Sequence, residues 1–266
     1  MTGAVPSEPF AAVAETHSAT VFFFGDRAYK VRKPEDLGFL DFRTREAREL
    51  DCRREVELNA RLAPDVYLGV ADVTGPDGEL CDHLVIMRRL PADRRLSALV
   101  ARGGDVVPAI RAVAHQVAAL HARSERTAEA DRLAGADAMR ARWEAETEAL
   151  RRYVGPVFSS EDVEGVHDLA ARYLDGRRRL FERRVAEGKA VDGHGDLLAD
   201  DVFCLDDGPR ILDCLQFDEQ LRLGDGVADV AFLAMDLERL GRRDLGELLL
   251  AEYAELRPDW WPSSFA

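Results

Sequence analysis

Three aspartates between residues 196 and 213 have the spacing expected of the acidic side chains in a cation-dependent site. Asp196 follows a histidine and a glycine, Asp201 stands five residues further on, and Asp213 closes a later apolar run. Carboxylates brought together in a partly dry cleft repel one another, so they favour a hard divalent cation with oxygen ligands, such as Mg²⁺. A solvated polar loop is the simpler interpretation of the segment around Asp196 when that segment is taken alone.

The segment between Asp201 and Asp213 predicts a hairpin that would bring these carboxylates together. Residues 202–205 and 210–213 are short apolar runs. The Asp-Asp-Gly-Pro sequence at 206–209 lies between them and is a strong turn signal. We therefore expect Asp213 to fold back beside the loop that carries the first two aspartates.

A lysine on a second predicted hairpin stands upstream of these aspartates. Residues 19–24 and 28–31 are rich in β-branched and aromatic side chains and flank a Gly-Asp turn, which predicts two antiparallel strands. Lys30 lies in the second strand and shares a face with the alanine two residues before it. Lys33 is a competing candidate, but Pro34 follows it and ends the strand.

A charged helix offers a carboxylate partner for this lysine. Residues 44–62 combine apolar residues at helical spacing with many arginines and glutamates, and a proline follows the segment. Glu55 is the candidate that would pair with Lys30 and orient its ammonium group. Glu57 is its rival, because spacing alone does not decide between them. A solvated helix face is the structural alternative for the whole segment.

The chain is predicted to be helical on both sides of the aspartates. Asp225 and Asp229 stand at the start of the last predicted helix, where acidic side chains favour the positive end of the helix dipole. Asp229 could also accept backbone N–H bonds from the loop around Asp196. The predicted helices span residues 106–122, 125–153, 160–187 and 230–240.

Size and charge limit the classes of function. The chain has 266 residues and a formal net charge of −14, so an extended nucleic-acid-binding surface is not expected. A cationic small substrate fits that field better, although surplus acid is also common in proteins that need it only for solubility. The chain contains no P-loop motif G-x-x-x-x-G-K-[ST].

The cysteines and the hydropathy suggest a location. The four cysteines form no C-x-x-C pair and lack metal-ligand spacing, which is typical of reduced, buried thiols. There is neither a secretory leader pattern nor a window of 18 uninterrupted apolar residues. We therefore expect a cytoplasmic protein with no membrane partner.

Seven short motifs occur together in one known family. The chain resembles the bacterial aminoglycoside phosphotransferase-like family of the protein-kinase-like superfamily, and most closely a branch that is sometimes fused to a P-loop kinase. The motifs are ETHS at 15–18, AYKVRKP at 28–34, GFLDF at 38–42, RLAPDVYLGV at 61–70, HGDL at 194–197, DCLQF at 213–217 and AFLAMD at 231–236.

The resemblance implies an α+β, two-lobed, protein-kinase-like fold. A small antiparallel-sheet N-lobe with one helix would span residues 1–90, and a larger, mainly helical C-lobe would span residues 91–266. It also implies that ATP and Mg²⁺ are co-substrates and that the γ-phosphoryl group passes to a hydroxyl of a small molecule, such as an aminoglycoside or an amino sugar. The branch usually continues with further helices past the position where this chain stops, so an incomplete acceptor pocket is one expectation.

The same resemblance implies roles for individual residues. Lys30, oriented by Glu55, would hold the α and β phosphates, and Asp213 with Asp201 would hold Mg²⁺. Asp196 would align and deprotonate the acceptor hydroxyl. The further candidates are His194 as the histidine of the catalytic motif, Met87 as a nucleotide contact at the end of a strand over 84–87, and Ser18 as a phosphate contact.

Three departures from the family pattern keep other interpretations open. No G-x-G-x-x-G loop precedes the lysine, so residues 15–19 would have to cover the phosphates. Asp201 replaces the usual asparagine, and Gln216 replaces a usual glutamate whose loss could weaken activity. A non-catalytic nucleotide-binding or regulatory module is therefore the alternative function. A metal hydrolase built on His194 has less support, because no second histidine stands at ligand spacing.

Overall fold

A five-stranded antiparallel sheet forms the N-terminal part of the chain. The computed structural model describes residues 9–38 and 40–259, and within them the strand order of this sheet is β1-β2-β3-β5-β4. Lys30 lies in the middle of β3, opposite Val21 on one side and Val85 on the other. The strands are β1 (Ala11–Glu15), β2 (Ala19–Phe24), β3 (Arg27–Arg32), β4 (Tyr67–Thr74) and β5 (Leu80–Arg88).

Strand β1 has no counterpart in the sequence analysis. Its sequence, Ala-Ala-Val-Ala-Glu, lacks the β-branched and aromatic enrichment that marks β2, so its local signal is weak. The strand forms because its backbone pairs with β2 from Ala11 opposite Phe24 to Glu15 opposite Thr20. The turn between β1 and β2 consequently lies over the end of the sheet near Lys30.

The helix α1 (Arg45–Asn59) packs on β4 and β5 of this sheet. Thr44 caps it, since its hydroxyl accepts the backbone N–H of Ala47 at 3.2 Å. The buried face of the helix includes Asp51 and Glu55 beside apolar residues. Buried carboxylates need cationic partners, and β3 supplies them.

The C-terminal part is mainly helical. The single helix predicted over 125–153 is wrong, because the segment forms two helices that break at Ala134 and Gly135. The first of them packs on Ala190 and Leu223, whereas the second pairs with the long helix after it. The helices are α2 (Leu96–Ala101), α3 (Val107–Arg123), α4 (Ala128–Leu133), α5 (Ala136–Arg151), α6 (Ser160–Ala186), α7 (Glu219–Arg222), α8 (Gly226–Arg239) and α9 (Arg243–Leu256).

Two small antiparallel pairs frame the loops that carry the aspartates. Strand β6 (Ala190–Asp192) pairs with β9 (Leu223–Asp225), and β7 (Val202–Leu205) pairs with β8 (Gly208–Ile211). The predicted hairpin is present, but its second strand begins two residues earlier than expected, since Leu205 pairs with Gly208. Asp213 therefore lies beyond the strand.

The two larger of the three apolar cores in the described part of the chain support these elements. One lies between the sheet and α1, and the other lies among α3, α8 and α9, where Leu197 and Ala199 anchor the loop after Asp196. The predicted α+β, protein-kinase-like architecture is confirmed, whereas the division at residues 90 and 91 stays a prediction. None of the helices in the described part of the chain combines the length and the apolar character that a membrane crossing requires.

Candidate active site

Lys30 lies at the centre of a cluster of charged side chains between β3, α1 and the loop after β8. Its Nζ atom is 2.8 Å from Glu55 Oε1 and 3.2 Å from Asp213 Oδ1. Burial alone would lower the pKa of Lys30, but the carboxylates of Asp213 and Glu55 outweigh it and raise that pKa. The ammonium group is therefore held charged between the two carboxylates.

The structure distinguishes between the candidates that the sequence left open. Glu55 is fully buried, whereas the Glu57 side chain is 67% exposed and pairs with Arg54 on the same helix. Lys33 lies 3.6 Å from the exposed Glu15. Of the candidates, only Lys30 and Glu55 thus meet beside Asp213.

Arg32 is a second buried cation in this cluster, and the sequence analysis gave it no role. It lies two residues after Lys30 and contacts Glu55 and Asp51 at 2.5 Å each. The amide of Gln216 fits with its oxygen 2.7 Å from Arg32 Nη2 and its nitrogen 2.9 Å from the Cys214 carbonyl oxygen. The two-residue period of a strand was the available signal, because it places Lys30 and Arg32 on one face.

Asp213 has a left-handed backbone conformation, with a φ of 61°. Its N–H donates to Tyr67 Oη at 3.3 Å, and its carboxylate faces Lys30. The charge of Lys30, opposed by burial, lowers the pKa of Asp213. An aspartate in this sparsely populated conformation stores strain, which is common where a side chain must be aimed at a ligand.

For the other two aspartates, burial and neighbouring carboxylates outweigh the nearby cations. Burial, together with the charges of Asp213 and Asp196, raises the pKa of Asp201 to about 8. Burial, with a contribution from Asp213, also raises the pKa of Asp196. The three carboxylates that the sequence singled out therefore share one electrostatic environment, and they repel one another there.

This donor set fits a magnesium ion. A cation beside Asp201 and Asp213 would offset the burial and the carboxylate repulsion that together raise the pKa of Asp201. Within the described ranges, no group of three or more His, Cys, Asp or Glu side chains forms a complete metal cage. Mg²⁺ in phosphoryl-transfer sites is commonly held by one or two carboxylates together with phosphate oxygens, so two aspartates suffice.

His194, a candidate catalytic side chain, is fully buried and does not face the cleft. Its Nε2 lies 2.9 Å from the Leu212 carbonyl oxygen, and its Nδ1 accepts the Asp196 N–H at 3.4 Å. Burial lowers the pKa of His194, which favours the neutral ring that this pair of contacts needs. The ring thus links the loop of Asp196 to the segment that leads to Asp213, and we assign it a positioning role.

Asp229 on α8 holds the loop that contains Asp196. Its two carboxylate oxygens accept the N–H groups of His194 and Gly195 at 2.6 and 2.9 Å. Its Oδ2 also lies 3.0 Å from His121 Nε2. Although burial opposes ionisation, the hydrogen bond from His121 and the nearby histidines lower the pKa of Asp229 to about 2. The expected contact between Asp229 and this loop is present.

Two side chains near the end of α1 connect this part of the chain to the loops before Asp196 and after Asp213. Asn59 donates to the Glu55 carbonyl oxygen and accepts the Cys214 N–H, each at 2.9 Å. Arg61 donates to the Gly193 carbonyl oxygen at 2.8 Å and pairs with the Asp192 carboxylate at 3.2 Å. No local sequence pattern predicts the contacts with Cys214, Gly193 and Asp192, since these partners are more than 130 residues away.

An apolar cleft of about 500 Å³, the sheet cleft, opens on one side of Lys30. Val21, Ala28 and Met87 line it from the sheet, and Phe203 and Leu212 line it from the other side. Asp201 and Asp213 lie at its polar end. This volume and this largely apolar lining suit a flat, drug-sized ligand with one charged end.

A smaller pocket of about 260 Å³, the distal pocket, lies on the other side of Lys30 and Asp213. Asp196 lines this pocket, and so do Ser18 and its neighbours in the turn between β1 and β2. Thr16, Lys30 and Asp213 line both cavities. A ligand in the sheet cleft could therefore extend past Lys30 toward Asp196.

Comparison with known sequences gives relatives without a characterised function. No protein-family model matches the chain. Uncharacterised proteins of Mycobacterium tuberculosis and Mycobacterium bovis are 44% identical to it over 260 residues, which is 98% of this chain and 52% of theirs. The chain thus spans about half the length of the curated relatives it matches.

Comparison with solved structures identifies the fold. A choline kinase from Cryptosporidium parvum Iowa II superposes with a TM-score of 0.54 at 12% identity, covering 96% of this chain and 75% of that one. An aminoglycoside 2'-phosphotransferase-IIIa superposes with a TM-score of 0.52 at 16% identity, and the match covers 96% of this chain and 80% of that one. The chain has the aminoglycoside phosphotransferase-like, protein-kinase-like fold. An aminoglycoside-3'-phosphotransferase of type VIII superposes on this kinase-like chain with a TM-score of 0.51 at 17% identity. The match covers 93% of this chain and 87% of that one.

Proposed function

We propose that this kinase-like chain is a phosphotransferase that moves the γ-phosphoryl group of ATP to a hydroxyl of a small molecule. The observation that carries the proposal is the position of Lys30, held between Glu55 and Asp213 where the sheet cleft meets the distal pocket. A similar structure at a TM-score of 0.51 is described as a GDP and kanamycin complex, which supports a nucleotide and a small acceptor for the fold.

The sheet cleft would bind the nucleotide. Its apolar walls suit a purine, with Met87 and the residues that follow β5 at the edge of the base. The phosphate chain would then run past Lys30, whose charge the two carboxylates stabilise. The turn that contains Ser18 would cover the phosphates, in the place that a glycine-rich loop takes in protein kinases.

Asp196 would act on the acceptor. Its carboxylate lines the distal pocket, and its raised pKa makes it a better proton acceptor than an ordinary aspartate. As the acceptor oxygen bonds to the γ-phosphorus, the bond to the β-phosphate oxygen breaks and ADP leaves. The hydroxyl proton passes to Asp196. Mg²⁺, which Asp213 and Asp201 would hold, supplies charge neutralisation for the phosphates when it is bound.

The setting of this reaction is also part of the proposal. The four cysteines are free, as expected in a reducing compartment, so we propose a cytoplasmic protein. The net charge of −14 favours a cationic acceptor at long range. The lining of the distal pocket acts at shorter range and bears on the acceptor more directly.

Nucleotide titration tests the binding half of the proposal. Calorimetry with a non-hydrolysable ATP analogue should give binding that requires Mg²⁺ and disappears in Asp213→Ala. Asp207→Ala is the matched control, because Asp207 lies in the exposed turn between β7 and β8 and pairs only with Arg210 among the described contacts. Mg²⁺-independent binding in the wild type would instead favour the alternative function, a non-catalytic nucleotide-binding module.

Turnover tests the catalytic half. Asp196→Asn should keep nucleotide affinity but lower Mg²⁺-dependent release of ADP by about 10²- to 10³-fold, the usual cost of losing one key group in such a site. Unchanged ADP release in Asp196→Asn would overturn the role given to Asp196.

A further inference from the structure

The distal pocket has an apolar wall that the proposed chemistry does not use. Leu40, Phe42, Leu215 and Phe217 line it opposite Asp196. Phe217, one of these four side chains, is 39% exposed. Phosphate and metal binding need charged and polar groups, and they give no reason to place four large apolar side chains beside the candidate base.

The polar lining of the pocket carries little free negative charge. Among the described residues that line it, Asp196 and Asp213 are the acidic ones, and both have roles in the proposed reaction. The cations Lys30 and Arg32 line the same pocket. An ammonium group taken out of water needs a carboxylate partner, so a ligand with several ammonium groups would find too few here.

The negative net charge of the chain does not make the distal pocket favourable for a ligand with several ammonium groups. The surplus acidic residues that give the net charge of −14 are spread over the chain, and physiological salt screens exposed charges beyond about 8 Å. Recognition at the acceptor hydroxyl therefore depends on groups that touch the ligand. In the distal pocket these groups are the apolar side chains, the amide of Gln216, the polar side chains of the turn at 16–18, and charged side chains that already have partners or roles in the proposed reaction.

The loop that supplies part of the wall is held in place before any ligand binds. In the described parts of this loop, residues 33–38 and 40–43, the Leu37 N–H donates to the Leu40 carbonyl oxygen at 2.8 Å, and the Phe42 N–H donates to the Glu35 carbonyl oxygen at 2.9 Å. Arg48 donates to the Phe42 carbonyl oxygen at 2.8 Å, and the Arg32 guanidinium lies 5.6 Å from the centre of the Phe42 ring. The wall is therefore built into the fold and costs little to order on binding.

We propose that the distal pocket is the acceptor subsite and that it takes an uncharged hydroxyl compound bearing an apolar group, in preference to a polycation. The inference rests on the proposed function, since it needs Asp196 as the group that meets the hydroxyl. The hydroxyl lies toward Asp196, and the apolar group packs against Phe217, Leu215 and Leu40.

Two glucosides that differ only in their alkyl group test the inference. Binding of methyl β-D-glucoside and of hexyl β-D-glucoside is measured by ligand-detected NMR, with and without the Mg²⁺ complex of the ATP analogue. The hexyl compound should bind at least tenfold more tightly, because each fully buried methylene is worth about fourfold in affinity. Kanamycin, a polycation with hydroxyl groups, should bind more weakly than the hexyl glucoside.

Two variants and one control locate the effect. Phe217→Ala and, independently, Leu40→Ala should remove most of the difference between the glucosides. Phe22→Ala is the matched control, because Phe22 is an exposed aromatic on β2 that lines neither cavity. Equal affinity for the two glucosides, tighter binding of kanamycin, or an unchanged preference in Phe217→Ala and Leu40→Ala would overturn the acceptor class. Failure of the nucleotide analogue to bind would overturn the proposed function instead.

Discussion

At the scale of single residues, the site depends on one buried carboxylate that serves two cations. Glu55 is fully buried and contacts both Lys30 and Arg32. Removing one member of a buried ion cluster is costly, because the groups left behind keep their desolvation penalty without the compensating charge. Glu55 therefore contributes to stability as well as to the position of Lys30.

Glu55→Gln should affect stability and nucleotide binding far more than the same substitution at an exposed helix glutamate. We expect a loss of about 3 kcal/mol or more in the free energy of unfolding, the usual cost of breaking a buried charge pair, and weaker binding of the ATP analogue. Urea denaturation and calorimetry measure the two effects. Glu57→Gln should change stability by no more than about 0.5 kcal/mol, since Glu57 is exposed. Equal effects of the two substitutions would show that Glu55 holds no special position.

Gln216 illustrates how local contacts change the meaning of a departure from a family pattern. Its amide oxygen meets Arg32, and its amide nitrogen meets the Cys214 carbonyl oxygen. A glutamate here would be a third carboxylate on Arg32, after Asp51 and Glu55, and it would offer no donor to Cys214. The neutral side chain is thus satisfied where it stands, and its presence is not by itself a sign of an inactive site.

At the scale of elements, the loop around Asp196 is held by its own backbone contacts. Asp229 at the start of α8 accepts two consecutive N–H groups of the loop, which is possible because the chain comes very close to its carboxylate at Gly193. A Cβ atom at Gly193 would lie 2.2 Å from Asp229 Oδ2, so only glycine fits without a shift.

Gly193→Ala should therefore displace the loop and impair the candidate base. We expect ADP release to fall by about 10²-fold, the cost of misplacing a catalytic group by roughly 1 Å, with weaker effects on nucleotide binding. Gly165→Ala is the control, because Gly165 lies in α6 with open space around its Cα and should gain about 0.5–1 kcal/mol in stability. Full activity of Gly193→Ala would show that the Asp229 contact does not set the loop geometry.

The strand of Lys30 and the helix of Glu55 could be predicted from the sequence, whereas the break at Gly135 could not. Local signals placed Lys30 on a strand and Glu55 on a helix, because propensity and periodicity depend on neighbours in the chain. The break at Gly135 was missed, since it reflects which partner each half of the segment packs against.

The electrostatic details of the site were also beyond a local analysis. Tyr67 meets Asp213, and Asn59 meets Cys214, across 146 and 155 residues of sequence. No periodicity encodes such pairs. The burial of the His194 ring was likewise not predictable from a local pattern, because burial depends on how the whole loop packs.

At the scale of the whole molecule, the sheet and the helical part meet across the proposed site, and a few polar contacts connect them. Arg61 is the most extensive of these links, since it follows α1 on the sheet side and contacts Asp192, Gly193 and Cys214 on the other. Its guanidinium lies outside both the sheet cleft and the distal pocket. It can therefore influence the loops without touching a bound ligand.

Arg61→Ala should uncouple nucleotide binding from turnover. The substitution leaves the Gly193 carbonyl oxygen and the Asp192 carboxylate with fewer hydrogen-bond donors. We therefore expect the free energy of unfolding to fall by about 1–3 kcal/mol. The rate of ADP release should fall at least about tenfold, because the loop that contains Asp196 is less well positioned. The affinity for the ATP analogue should stay within about threefold, because Lys30, Glu55 and Asp213 keep their contacts. Arg54→Ala on α1, where Arg54 pairs with the exposed Glu57, should change neither quantity. A parallel loss of affinity and turnover in Arg61→Ala would mean that the two parts of the molecule respond as one unit, and that Arg61 has no separate role in placing the catalytic loop.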